Sequence, residues 1–215
     1  MEENVAEEGK EEWIPKTEIG RMVKEKKINS IEEIFAMGKT IREIGIVDAL
    51  IPNMQDKVLE IKSVQRMTKN NRRQKFRAVV VIGDMNGHVG VAAGKNIETK
   101  PATENAIKEA KRKIISVKLG CGAWECNCGT SHSVPIAVKG KCGSSEVIIK
   151  PAPKGVGIVA GETVKTVLEY AGIKDAWTFT KGRTKDIYNL AIATYLALSS
   201  LSKIKNAKAL SAYQK

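Results

Sequence analysis

Two groups of side chains in this 215-residue sequence have types and spacings that could do chemistry. The first is Cys121, Cys126 and Cys128, followed further on by Cys142. With four, one and thirteen residues between them, these thiols are close enough in sequence to converge on one tetrahedral zinc, and His132 is an alternative fourth ligand. They could equally be reduced thiols in a small buried loop, with no cofactor required. The second group is Lys69-Asn70-Asn71-Arg72-Arg73-Gln74-Lys75, where forked guanidinium donors and amides stand together without a balancing acid. Such donors grip phosphates, and their charge makes association fast and salt-sensitive. The competing reading of that run is a solubilising loop.

The overall charge favours the phosphate reading. Lys and Arg number 36 against 24 Asp and Glu, a formal charge of +12 that points to a polyanionic partner, nucleic acid first. At 42% hydrophobic residues the chain can fill a core, which excludes a wholly disordered basic tail. Aromatics make up only 5%, so phosphate contacts rather than base stacking should dominate any RNA contact. Acids are concentrated in an amino-terminal arm (Glu2, Glu3, Glu7, Glu8, Glu11 and Glu12 against Lys10). Between Glu60 and Asp84 there are none, and that stretch holds Lys62, Arg66, Lys69, Arg72, Arg73, Lys75 and Arg77. A sparser acid-free stretch after Asp186, with Lys203, Lys205, Lys208 and Lys215, reads as a solvated face.

Catalysis finds little support. His88 and His132 fall in different segments, no serine or cysteine has a nucleophile motif, and no carboxylate pair is suitably placed, so neither an enzyme nor a small-molecule substrate is expected. The glycines of Lys154 to Gly161 match neither the dinucleotide fingerprint nor a P-loop and read as a turn into a helix, whose amino end could still hold an RNA phosphate. No signal peptide or run of about 18 apolar residues occurs, so a cytoplasmic chain without a membrane partner is expected.

The elements that must position these groups follow from periodicity. Ile31 to Ile51 reads as one or two short helices ending at Pro52. Val58 to Met67 and Phe76 to Ile82 read as strands of a hairpin whose arginine-rich tip is Thr68 to Lys75. Gly83-Asp84-Met85-Asn86-Gly87 turns the chain into a third strand, His88 to Ala93. A helix from Thr99 and Pro101 should bury Ile107, Ala110, Ile114 and Val117 and leave Lys108, Lys111, Arg112 and Lys113 largely opposite. Residues 118 to 133 break all periodicity and read as a Cys/Gly-rich linker or an ordered loop. Beyond it come strands at Val134 to Lys139 and Glu146 to Lys150, a helix opened by Gly161 and stopped at Gly172, a strand at Ala176 to Thr180, and a helix capped by Asp186 with the stripe Ile187, Leu190, Ala191, Thr194, Leu198 and Leu201.

The strings RAVVVIGDMNGHVGVAAGKNIETKPATENAIKEAKRKII and PAPKGVGIVAGETVKTVLEYAGIKDAW closely resemble the fifth small-subunit ribosomal protein family, archaeal and eukaryotic branch. The resemblance covers roughly residues 54 to 203. It implies a double-stranded-RNA-binding-like domain of three antiparallel strands plus a helix (54–117) and a C-terminal α/β domain with a small sheet and two helices (134–215); with the acidic arm and helical extension (1–53) and the linker (118–133) read from the residues themselves, an α+β protein is expected. It places the ribosomal-RNA-contacting loop on Lys69, Asn70, Asn71, Arg72, Arg73 and Lys75. Lys62, Arg66, Arg77, Lys111 and Arg112 extend that expectation along the neighbouring basic surface. Gly161, Lys165 and Ala171 resemble the family's interface with the neighbouring small-subunit protein numbered four, and protein eight is a second implied neighbour. The implied role is structural, with influence on decoding accuracy and subunit assembly; the alternative is a free double-stranded-RNA-binding protein acting off the ribosome. Bacterial relatives lack the cysteine loop, so no metal follows from the resemblance.

Overall fold

The computed structural model describes residues 13–202; the acidic arm from Glu2 to Glu12 and the lysines from Lys203 onward lie outside the described residues. Two compact units divide at Pro52. The first contains three short helices, α1 (Glu18–Lys24), α2 (Ile31–Ala36) and α3 (Ile44–Leu50), around Ile19, Val23, Ile34, Ile46 and Val47. Thr17 caps α1 by accepting from the Gly20 amide, and the Glu43 carboxylate accepts from the amides of Lys16 and Thr17.

The second unit begins with β1 (Gln55–Met67), β2 (Arg72–Gly83), β3 (His88–Asn96), α4 (Thr99–Arg112) and β4 (Ile115–Ser116). The four strands form an antiparallel sheet in chain order, with a bulge between Val58 and Glu60. Residues 78 to 82 of β2 are buried without interruption, because both faces of the sheet are covered. Ala78, Val80 and Ile82 pair with Gly94, Ala92 and Gly90 on the face that carries α4, whereas Val81, Val89 and Val91 join the core on the other.

The buried stripe of α4 differs from expectation. It is Ala102, Ala106 and Ala110; Ile107 is half-buried, and Ile114 and Val117 are buried but lie past the helix end. The cause is close approach: a Cβ on Gly94 would stand 2.4 Å from both the Ala102 carbonyl oxygen and the Ala106 nitrogen, so this helix sits too near the sheet for larger side chains.

After an irregular segment come β5 (Val138–Cys142), β6 (Ser145–Pro151), β7 (Ile158–Val159), α5 (Glu162–Tyr170), β8 (Ala176–Lys181) and α6 (Ile187–Ser202). The second sheet has the order β5-β6-β8-β7, antiparallel except for the parallel β7–β8 pair. The strand expected at Val134 to Lys139 is displaced to Val138–Cys142; Pro135 has no amide hydrogen to give to a ladder. The stripe of α6 is buried from Leu190 to Leu201, joined by Ala193 and Ala197. Val81 and Val91 from the first sheet, Val147 and Ile149 from the second, and Leu168 and Leu198 from the helices share one core. The described residues thus make a mixed α+β protein with two sheets and six helices. None of those helices is long and apolar enough to cross a membrane.

Candidate nucleic-acid interface

β3 pairs with β2 only from Phe76 onward, whereas β1 and β2 pair out to Met67 and Arg72. The hairpin end therefore projects past the sheet as a two-stranded ribbon, reaching about 14 Å at roughly 3.4 Å per residue. All residues from Gln65 to Lys75 are exposed. The reversal itself is shorter than expected: only Thr68 to Asn71 lie outside the strands, so Arg72, Arg73 and Lys75 stand on the start of β2 rather than in a mobile tip. Local hydrogen bonds fix the turn. Thr68 Oγ1 donates to the Asn71 carbonyl at 2.5 Å, the Thr68 amide donates to the same oxygen at 2.9 Å, and Asn71 Oδ1 accepts from the Arg72 amide at 2.7 Å.

Register decides which cations share a face. Lys62 opposes Arg77, Val64 opposes Lys75 and Arg66 opposes Arg73, and cross-strand partners lie on one face. Lys95 of β3 opposes Arg77 and joins that face, a contributor hidden in the sequence because it is distant from the basic run. A groove of about 510 Å³ at the ribbon is lined by Arg66, Arg73, Lys75 and Lys95 together with Thr68. Arg72 opposes Met67 on the other face, so the adjacent Arg72 and Arg73 point apart.

These cations are not equally available. Among the described residues, no carboxylate lies within ion-pair distance of Arg66, Lys69, Arg72, Arg73, Lys75 or Lys95. Lys62 is paired with Glu60 at 2.5 Å. Arg77 is half-buried, its guanidinium 4.9 Å from the centre of the Tyr188 ring, which ties the hairpin base to α6. On α4, Arg112 is bridged to Glu109 at 2.7 Å, and Lys111 is partly covered. The unpaired charges at the ribbon end can meet a phosphate directly, whereas Lys62 and Arg112 must first leave a carboxylate.

The other expected sites separate in the same way. Gly161 and Lys165 are exposed at the start of α5, but Ala171 is wholly buried in the core beyond that helix and offers no surface to a partner. Cys121, Cys126 and Cys128 do gather, and the fourth member of their group is His132 rather than Cys142. Cys142 ends β5, where its thiol donates to Asn189 Oδ1 of α6 at 3.8 Å. Burial pushes the Cys121 thiol up to about 11, and hydrogen bonds from Thr130 bring Cys128 down to about 6. His88 Nδ1 stands 2.6 Å from Asp84 Oδ2 inside the β2–β3 turn, where the pair braces the reversal.

Comparison with known proteins gives a consistent result. Residues 54–118 match the family model described as ribosomal protein S5, N-terminal domain, and residues 140–211 match ribosomal protein S5, C-terminal domain. A curated relative from Methanocaldococcus jannaschii, named small ribosomal subunit protein uS5, is 56% identical over 89% of this chain and 88% of its own. Relatives of the same name from Aeropyrum pernix and Methanococcus maripaludis are 55% and 51% identical, over 87% and 95% of this chain and 86% and 92% of theirs.

Proposed function

The chain belongs to the ribosomal protein S5 family, a family of ribosomal structural proteins and not of enzymes, and from that membership we propose that it is a structural constituent of the small ribosomal subunit. Its mechanism in this reading is charge neutralisation of folded ribosomal RNA by the β1–β2 ribbon. The observation that carries it is the set Arg66, Lys69, Arg72, Arg73 and Lys75, held on a short, internally hydrogen-bonded hairpin end and joined at its base by Lys95 of β3, with no acid in ion-pair distance among the described residues. Asn70 and Asn71 lend amides at the turn, while Lys62, Arg77, Lys111 and Arg112 form the margin of the contact. Packing of an antiparallel sheet against α4 supports a double-stranded-RNA-binding-like role for residues 54 to 117. The exposed Gly161 and Lys165 supply part of a surface for the neighbouring protein numbered four, and protein eight is the second neighbour. Fixing these contacts is how the chain would act on decoding accuracy and subunit assembly, in the cytoplasm with the subunit.

Cosedimentation with small ribosomal subunits across a salt series tests this reading. The chain is expected to travel with the subunits and to be released as salt rises. A chain that stays mainly in the soluble fraction at low salt would replace this proposal with that of a free RNA-binding protein.

A further inference from the structure

The segment from Cys121 to Cys128 and on to His132 has no core of its own. Trp124, its one large apolar side chain, is 90% exposed, and only the small Ala123 is buried before His132. Yet both ends are fixed: the Gly120 and Ser133 backbones exchange two hydrogen bonds of 2.8 Å, closing the segment into a knuckle. In a loop of this length without apolar filling, a metal clip is a physical means of holding one shape. Inside it, the ligand atoms of Cys121, Cys126, Cys128 and His132 all lie within 4.8 Å of one another.

The geometry points to a structural zinc site formed by Cys121, Cys126, Cys128 and His132, with Asp175 as the residue that orients the imidazole. His132 Nε2 stands 3.6 Å from Cys126 Sγ. In a tetrahedron with Zn–S of about 2.3 Å and Zn–N of about 2.0 to 2.1 Å, a sulfur and a nitrogen are about 3.6 Å apart. The sulfur-rich donor set suits zinc and excludes the hard cations magnesium and calcium. His132 is buried, and its other nitrogen, Nδ1, is 2.8 Å from Asp175 Oδ2, close but off the line of a ring N–H hydrogen bond. A carboxylate in that place is the usual outer partner of a zinc-bound imidazole. Binding releases the remaining thiol protons to solvent and leaves thiolate ligands.

Asp175 extends the effect of the site. Its Oδ1 accepts from the amides of Gly155 and Gly157 at 3.0 and 2.8 Å, and the His132 carbonyl accepts from the amides of Lys174 and Asp175. Zinc at His132 therefore also sets the turn at 154–157, which leads through β7 into α5. This inference is independent of RNA binding, since the ribbon and the knuckle share no residue.

The test uses the full chain, freed of RNA at high salt and analysed for metals. About one equivalent of zinc is expected, retained in Cys142→Ser and reduced below about a tenth in Cys126→Ser and in His132→Ala. Cobalt exchanged into the native chain should show thiolate charge-transfer bands and the intense visible bands of tetrahedral coordination. Stripping the metal should accelerate hydrogen exchange at the Gly155 and Gly157 amides by about tenfold or more. Less than about a tenth of an equivalent in the native chain, one equivalent of a different metal, or loss of zinc from Cys142→Ser as complete as from Cys126→Ser would each overturn the assignment. Should the ligand variants fail to fold, zinc content and exchange in the native chain decide the matter alone.

Discussion

Arg66 and Arg73 stand directly opposite each other across β1 and β2, which makes their joint replacement by alanine unusually informative. Like charges in that position repel, so removing both relieves about 0.2 to 1 kcal/mol of cross-strand repulsion. The fold should be unchanged or slightly firmer, while the grip on RNA weakens. If each guanidinium meets one phosphate, the slope of log K against log salt becomes less negative by about 1.8 at a duplex site, or about 1.4 at a single strand. A rise from about 50 to about 200 mM salt then costs the variant roughly tenfold less affinity than it costs the native chain. Filter-binding titrations with a small-subunit ribosomal RNA fragment, run beside thermal melts, measure both quantities. Arg72→Ala, on the other face of the ribbon, reports whether RNA wraps both faces. A double variant that melts normally but keeps the native affinity and slope would refute the assignment of this ribbon to phosphate binding. A lowered melting temperature would show instead that the two arginines serve the fold.

Two further outcomes test the scaffold. Gly140→Ala places a methyl 2.1 Å from the Ala193 carbonyl oxygen, where α6 lies against β5, and should destabilise the chain by about 1 to 3 kcal/mol in thermal or denaturant unfolding. Burial works to raise the Asp84 carboxyl, but hydrogen bonds from His88 and from the Asn86 and His88 amides outweigh it and hold the group below its ordinary value. A depressed carboxyl stabilises the fold above its unfolded-state value of about 3.9 and loses that contribution as pH falls through the folded value. Asp84→Asn should therefore be less stable by about 1 to 2 kcal/mol at neutral pH, with the difference from the native chain narrowing below about pH 4 in denaturant titrations.

Local signals carried most of the architecture. Alternation and β-branching marked the hairpin, Asp84 to Gly87 marked the second reversal, and the apolar stripe of α6 marked the last helix, because each depends on residues within a few positions of one another. The unbroken burial of Ala78 to Ile82 was legible as an apolar strand, although the sequence did not say what covered its two sides. The short strands β4 and β7 left no such signal, since two residues carry no periodicity.

The sequence alone determined that an acid-free basic run would lie on a β-reversal and that three cysteines would lie close together, since both depend on near neighbours along the chain. Tertiary structure decided the rest. Strand register put Arg73 with Arg66 and Lys95 and sent Arg72 to the opposite face. The closure of Gly120 on Ser133 brought His132, not Cys142, to the thiols, and the approach of α4 to Gly94 replaced the expected isoleucine contacts with alanines. Each of these outcomes depends on strand register, loop closure or the approach of one element to another, which are set by pairing and packing and are not encoded in local spacing.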